Sequence, residues 1–77
     1  MKVNILFFGQ LTDATGTASL MLEDIDDTAA LIQQLHTTYP GLLTKKYVIA
    51  VDSIVAKENI LLTDNCTVAL LPPFSGG

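Results

Sequence analysis

One stretch of the chain, residues 28–39, has the apolar periodicity of an amphipathic helix long enough to cover a sheet. Asp27 precedes it as the predicted N-cap, and Pro40-Gly41 is predicted to end it. The predicted buried stripe consists of Leu31, Ile32, Leu35 and Tyr39. Segments rich in β-branched and aromatic residues lie on both sides of this helix. A sheet packed on one main helix is therefore expected, rather than a helical bundle.

The remaining pattern predicts strands at residues 3–8, 17–22, 47–51 and 67–71, with a short helical turn at residues 10–14 and a short extended piece at residues 54–56. Gly16 is predicted to close the helical turn in a left-handed or turn conformation, and Asn65 to adopt a positive φ in the turn before the last strand. Leu61 and Leu62 are both predicted to point towards the core. Two strands, one helix and two strands give a ββαββ order. The predicted class is α+β, with a mixed sheet wrapped on the main helix. We expect residues 1–71 to form the domain and residues 72–77 to form an extended, flexible C-terminal tail.

Size and composition favour a protein partner. The chain has 77 residues, of which 49% are apolar, so some apolar surface is expected to remain exposed. Its net charge is −4, with four lysines and no arginine. Without a basic stripe to neutralise phosphates, nucleic-acid binding is not expected. A basic protein surface is the more natural partner for an acidic domain.

The same pattern argues against membrane, metal and disulfide chemistry. No apolar run approaches the roughly 20 residues of a membrane span, and residues 1–20 lack a signal-peptide pattern, so a cytoplasmic protein is predicted. Cys66 is the only cysteine and His36 the only histidine, too few for a metal cage. The acidic run at residues 23–27 lacks the spacing of a calcium loop and is interpreted as a solvated helix entrance.

No side chain has the pattern of a catalytic group. Cys66 is in phase with Val68 and Leu70 and is expected to be a small buried residue rather than a nucleophile. His36 lies off the helical stripe and is expected at the surface. The main-chain carboxylate of Gly77 is left as the candidate reactive group.

The sequence around that carboxylate suits insertion into a narrow site. Gly76 and Gly77 have no Cβ atoms, and Pro72 and Pro73 restrict φ and cannot donate a ladder hydrogen bond. The residues expected to govern access to the carboxylate are Pro72, Pro73, Phe74, Ser75 and Gly76. Extended, the six residues reach about 20 Å. An α-carboxylate is a poor acyl donor, but ATP can activate it as an acyl-adenylate, which a sulfur nucleophile can convert to a thiocarboxylate.

A docking surface is predicted on the sheet face away from the helix. If Ile5 and Phe7 cover the helix, alternation leaves Phe8, Val55 and Leu71 exposed on the other side. Docking there would direct the tail into the cleft of a partner. A one-residue slip in register would instead turn these residues into the core.

The ββαββ pattern and the ending Leu70 to Gly77 together resemble the MoaD/ThiS family of ubiquitin-like β-grasp proteins. Within it, the Pro-Pro pair resembles the small, sulfur-carrying subunits of molybdopterin synthase more than the thiamine-type carriers. The resemblance covers nearly the whole chain. The sequence departs from the family pattern at Asp52-Ser53, where Asn-Gly is frequent, and at Asn65, where glycine is frequent; both departures concern local turns.

The resemblance implies partners and a mechanism. An E1-like adenylyltransferase would use ATP to activate Gly77, a sulfur donor would form the thiocarboxylate, and this chain would bind no cofactor itself. The large subunit of molybdopterin synthase would accept the tail and pass sulfur to cyclic pyranopterin monophosphate, in a heterotetramer of two small and two large subunits. The chain would then be a non-catalytic subunit of a synthase whose active site lies mainly on the large subunit.

Three alternatives stay open at this point. The chain could carry sulfur for thiamine thiazole synthesis, or it could be a ubiquitin-like modifier that forms isopeptide bonds with lysines. From another class of function, it could be a β-grasp interaction module with no covalent role. The pathway, the sulfur donor and the oligomeric state of the isolated chain are not determined by the sequence.

Overall fold

The computed structural model describes residues 2–73, which form a mixed sheet packed on one long helix. The elements along the chain are β1 (Lys2–Phe7), α1 (Leu11–Thr15), β2 (Ser19–Glu23), α2 (Thr28–Thr38), a 3-10 helix (Pro40–Thr44), β3 (Val48–Val51), β4 (Ile54–Val55) and β5 (Cys66–Leu71). The strand order is β2-β1-β5-β3-β4. The β1–β5 pair is parallel, and the other three pairs are antiparallel. The predicted α+β class is confirmed, and so is the ββαββ order of the four predicted strands around the main helix. The sheet has a fifth, short strand, β4, where the sequence predicts only an extended piece.

The register of the central strands determines which side chains enter the core. Ile5 lies opposite Val68, and Phe7 lies opposite Leu70. All four are buried, facing the buried Leu31 and Leu35 of α2. The burial pattern alternates along both β1 and β5, as expected for strands with one face on the core.

Helix α2 begins as the sequence predicts. The Asp27 carboxylate accepts a hydrogen bond from the backbone N–H of Ala30 at 2.8 Å, which satisfies one of the free donors of the first turn. Helix α2 ends at Thr38, before Pro40, as the sequence predicts, but Pro40 then begins a separate 3-10 helix in which Leu42 is buried. This element was not predicted. Proline is well suited to the first turn of such a helix, since it has no N–H to leave unsatisfied.

Positive backbone φ angles occur at the tight turns. Gly16 ends α1 at φ 74°, and Asn65 precedes β5 at φ 63°, both in the left-handed region that the sequence predicts for them. Asp52 and Ser53 also have positive φ, 48° and 74°, and they join β3 to β4 as a two-residue hairpin loop. The chain therefore adopts here the conformation that Asn-Gly usually provides.

The segment before β5 corrects one expectation. Leu61 and Leu62 were both predicted to point towards the core, but Leu61 is 78% exposed whereas Leu62 is buried. The segment is extended and bridges Asp27, so consecutive side chains point to opposite sides and only one can enter the core.

The end of β5 at Leu71 precedes Pro72 and Pro73, which are exposed. The division into a domain at residues 1–71 and a tail at 72–77 stays a prediction. Of the residues expected to form the extended, flexible tail, 72–77, residues 74–77 lie outside the described residues. Among residues 2–73, no helix is both long and apolar enough to cross a bilayer.

Candidate functional site

The sheet face away from α2, called the outer face here, carries a shallow concavity. It spans four strands, because Leu6 lies beside Ala69, Ala69 beside Ala50, and Ala50 beside Val55. The lining residues are Leu6, Phe8, Ala50, Asp52, Ser53, Val55, Thr67, Ala69 and Leu71. We call this surface the outer-face concavity. Most of its side chains are apolar.

The three residues predicted for docking all line the outer-face concavity. Phe8 is 43% exposed and Val55 is 50% exposed, while Leu71 is half-buried. By contrast, Phe7 on the opposite face is 2% exposed. The structure thus has the register that leaves Phe8 outside, not the slipped register that would bury it. That a partner docks here stays a prediction.

The parallel pairing of β1 with β5 places one end of this concavity, at Phe8 and Leu71, where the chain leaves the sheet. The backbone N–H of Phe8 donates to the carbonyl oxygen of Leu70 at 3.1 Å. Leu71 pairs with Val48 on the other side, and Pro72 follows directly. Two strands that run in the same direction end at the same edge of the sheet. A partner bound in the concavity would therefore meet the first residues of the predicted tail.

A second depression lies beside the start of that tail. Its walls are formed by the turn after β1 with the start of α1, by the end of the 3-10 helix with the two residues after it, and by Pro72 and Pro73. The lining residues are Gly9, Gln10, Leu11, Thr44, Lys45, Lys46, Pro72 and Pro73. Of the residues predicted to govern access to the carboxylate, Pro72 and Pro73 are thus placed. Phe74, Ser75 and Gly76, with the reactive Gly77, lie outside the described residues.

Acidic side chains gather at the opposite end of the sheet, where β1 and β5 begin. The Asp64 carboxylate accepts from the backbone N–H of Lys2 at 2.8 Å, and the Asp52 carboxylate accepts from the backbone N–H of Thr67 at 2.9 Å. The carbonyl oxygen of Asp26 accepts from the N–H of Leu62 at 2.9 Å. The net charge of −4 is consequently distributed unevenly, with much of the negative charge far from the predicted tail.

Asp27 belongs to this acidic end and has a structural role. Hydrogen bonds from the N–H of Ala30 and, more weakly, from the Asn59 side chain hold the pKa of Asp27 below its ordinary value. The Asn59 amide oxygen also accepts from the N–H of Ala29 at 2.8 Å. Within residues 2–73, no three His, Cys, Asp or Glu side chains are grouped so that they could hold a metal ion.

The two residues with reactive side chains have separate environments. Cys66 is 3% exposed and belongs to the core, where it lies beside Val3, as its phase in the sequence predicts. His36 is half-buried, and its Nε2 atom is 2.6 Å from the hydroxyl oxygen of Tyr47. The sequence did not reveal this pair, because Tyr47 follows an unpredicted 3-10 helix that brings it back to α2.

Comparison with known proteins gives one family and several similar structures. The model of the ThiS family matches residues 5–77. The chain is 30% identical over 82 residues to the molybdopterin synthase sulfur carrier subunit of Mycobacterium tuberculosis, an alignment that covers 100% of this chain and 99% of that protein.

Two solved structures illustrate the structural likeness. A chain of the complex of subunits 1 and 2 of molybdopterin-converting factor from Helicobacter pylori is 27% identical, with a TM-score of 0.75 and complete coverage of both chains. Small archaeal modifier protein 1 from Methanosarcina acetivorans is 23% identical, with a TM-score of 0.84 and coverage of 99% of this chain and 96% of that one. The second likeness concerns the fold alone. The predicted ubiquitin-like β-grasp fold is confirmed.

Proposed function

The chain belongs to the ThiS family of sulfur carriers, and from that premise we propose that it carries sulfur as a thiocarboxylate on Gly77 for molybdopterin synthesis. In this role it is the small subunit of a molybdopterin synthase. The relative named as a molybdopterin synthase sulfur carrier subunit supports this pathway, because the alignment covers both chains almost completely. The large subunit is the proposed partner, supported by the Helicobacter pylori complex of the two subunits.

The chemistry needs only one group from this chain. A carboxylate oxygen of Gly77 attacks the α-phosphorus of ATP on an E1-like adenylyltransferase, and pyrophosphate leaves. A sulfur nucleophile then attacks the acyl carbon and displaces AMP. With hydrosulfide, the product is the Gly77 thiocarboxylate itself. With a donor persulfide, the product is an acyl disulfide, and a thiol cleaves its S–S bond, forming a mixed disulfide with the donor and leaving the thiocarboxylate on Gly77. Cys66 takes no part in this scheme, since its thiol is enclosed in the core. Because activation consumes ATP, we place the carrier in the cytoplasm.

The observation that supports this function most directly is the position of the outer-face concavity at the exit of β5. Phe8 and Leu71, with Val55 farther along the same face, form an apolar surface that reaches the edge from which residues 72–77 continue. A partner that binds this surface would receive the tail already oriented. Docking then supplies part of the entropic cost of positioning the carboxylate, and the reaction step itself has less of that cost. In the proposed synthase, two small subunits dock on two large subunits.

Mass analysis of the intact chain, isolated from cells that express it with its activating enzyme, tests this function. The proposal predicts the mass increase that replacing one carboxylate oxygen by sulfur gives. A variant lacking Gly77 is the matched control, and it should show neither this increase nor ATP–pyrophosphate exchange. A wild-type chain that shows neither signal would contradict the proposal.

Complementation separates the two carrier pathways. The chain should restore molybdoenzyme activity to cells that lack their own molybdopterin synthase small subunit, and it should not restore thiamine synthesis to cells without the thiazole carrier. The opposite result would assign the chain to thiazole synthesis. Isopeptide adducts on lysines of other proteins, without restored molybdoenzyme activity, would identify a modifier. Binding to the large subunit without sulfur transfer would identify an interaction module.

A further inference from the structure

Gly9, the second residue after β1, has a contact that no other residue type could make. Its φ is +58°, in the region that L side chains rarely adopt. A Cβ atom built on Gly9 would lie 2.7 Å from Cγ and 3.6 Å from Cδ of Pro72. The shorter distance is well inside the roughly 3.5–4.0 Å at which carbon atoms pack favourably. The proline ring therefore occupies the space that a side chain at Gly9 would need.

Neither partner in this contact can easily move away. The carbonyl oxygen of Gly9 accepts from the backbone N–H of Thr12 at 3.2 Å and from its hydroxyl at 2.8 Å. On the other side, Leu71 pairs with Val48, which holds the residue directly before Pro72 in the sheet. The Pro72 ring has a fixed φ of its own. The contact thus joins two anchored segments across a small gap.

We propose that Gly9 is a positioning residue for the tail: its bare Cα seats the Pro72 ring and sets the direction in which residues 72–77 leave the domain. The inference rests on the proposed function, because it assigns Gly9 an effect on the delivery of the Gly77 carboxylate. We assign Gly9 no direct contact with the reacting atoms. It acts through Pro72, and a displaced ring would misdirect the carboxylate after docking.

The chain contains a matched control for this proposal. Gly16 also has a positive φ, +74°, but a Cβ atom built there meets nothing within 4 Å. Gly9→Ala and Gly16→Ala therefore introduce the same kind of backbone strain, while only Gly9→Ala pushes on another side chain. Pro72→Ala removes the Cγ and Cδ atoms that the new Cβ would meet, so the double variant Gly9→Ala/Pro72→Ala tests whether the contact itself is responsible.

Steady-state ATP–pyrophosphate exchange with the activating enzyme is the functional measurement. We take the activating enzyme to dock on the outer-face concavity as well, a surface that Gly9→Ala leaves unchanged. KM should therefore stay near the wild-type value while kcat falls roughly 10- to 100-fold, as expected for a misplaced reacting group. Gly16→Ala should keep the wild-type kcat. The double variant should recover to the kcat of Pro72→Ala. Wild-type kcat in Gly9→Ala, or a double variant as slow as Gly9→Ala, would overturn the proposal.

A second measurement does not depend on activity or on the folding of Gly9→Ala. In the wild-type chain, NMR should show a nuclear Overhauser effect between the Gly9 Hα and Pro72 Hγ protons, and its absence would overturn the proposal. If this nuclear Overhauser effect is present but the wild-type chain is never adenylated, the proposed function fails. The role of Gly9 in delivering the carboxylate then fails with it. If adenylation occurs and only the Gly9 results disagree, the proposed function stands and this inference fails.

Discussion

The Nε2 atom of His36 lies 2.6 Å from the hydroxyl oxygen of Tyr47, and the two rings meet edge to face at an interplanar angle of 79°. The pair connects the C-terminal part of α2 to the residue before β3. The 3-10 helix at Pro40–Thr44 lies between the two residues in the sequence, so their contact ties the two ends of this connection together. Both residues are half-buried, and the lower local dielectric makes their hydrogen bond electrostatically stronger than the same bond in water.

Removing the Tyr47 hydroxyl should destabilise the fold. Tyr47→Phe keeps the ring but leaves His36 without this partner, and we expect the free energy of unfolding to fall by about 1 kcal/mol. Urea denaturation measures it. Tyr39→Phe is the control, because the Tyr39 ring packs edge to face on Phe7 and is retained in that variant. An equal loss in both variants would show that the His36–Tyr47 hydrogen bond adds nothing.

Tyr47 should also make stability sensitive to alkaline pH. Burial raises the pKa of Tyr47, so the folded chain retains the phenolic proton to higher pH than the unfolded chain does. The contribution of protonated Tyr47 to the free energy of unfolding is therefore complete below about pH 10, and it is lost as the pH rises through the raised pKa. Thermal denaturation between neutral pH and strongly alkaline pH should show a steeper loss for the wild-type chain than for Tyr47→Phe. Identical slopes would contradict the assignment.

The β3–β4 turn offers a stabilising substitution. Ser53 has φ 74°, a conformation that costs most residues about 1 kcal/mol but costs glycine little. Ser53→Gly should therefore raise the free energy of unfolding by roughly 0.5 kcal/mol, after the greater entropy of unfolded glycine is subtracted. Ser19→Gly, in the extended strand β2, is the control and should lower it. A destabilised Ser53→Gly variant would mean that the Ser53 side chain itself supports the turn.

Cys66 should prove structural. Cys66→Ala removes a sulfur atom from the core beside Val3, and the expected loss is about 1 kcal/mol in the free energy of unfolding. Thiocarboxylate formation on Gly77, measured by intact mass, should be unaffected at a temperature where the variant is folded. A folded variant that cannot be thiolated would show that this thiol handles sulfur.

Local rules predicted the parts of the fold that depend on neighbouring residues. The N-cap at Asp27, the left-handed Gly16 and Asn65, and the buried alternation of Ile5 and Phe7 all follow from single residues or short periods. Residues whose environment depends on distant segments were harder to place. Leu61 pairs with Asp27 through a bridge that no local pattern indicates, so its exposure was missed.

The candidate site shows the same division. Alternation placed Phe8 and Leu71 on the outer face, because a strand with one buried face has only one acceptable register. The contact between Gly9 and Pro72 could not be predicted, since it depends on the parallel pairing of β1 with β5. The net charge also did not predict how the charges are distributed. Many acidic side chains lie at the end of the sheet where β1 and β5 begin, whereas Lys45 and Lys46 lie beside Pro72 at the start of the tail. The expected basic partner surface stays a prediction.

Substitutions in the outer-face concavity should separate docking from folding. Phe8→Asp places a charge where Phe8 is 43% exposed, so the free chain can keep that charge in water. In a complex, the new carboxylate would be buried in an apolar interface without a counter-ion. We therefore expect binding to the large subunit to weaken by roughly 2 kcal/mol or more. Leu71→Asp should act in the same direction. Isothermal titration calorimetry measures the affinity, and the melting temperature should change little.

Leu61→Asp is the matched control for this experiment. Leu61 is an exposed leucine at 78%, it does not line the concavity, and it bridges to Asp27, the N-cap of α2. The same change from an apolar side chain to aspartate there should leave affinity for the large subunit unchanged, because a charge outside an interface is never desolvated. Equal weakening by Leu61→Asp and Phe8→Asp would show that added negative charge, not the loss of an apolar contact, opposes binding. A Phe8→Asp variant that unfolds would place Phe8 in the core and the docking surface elsewhere.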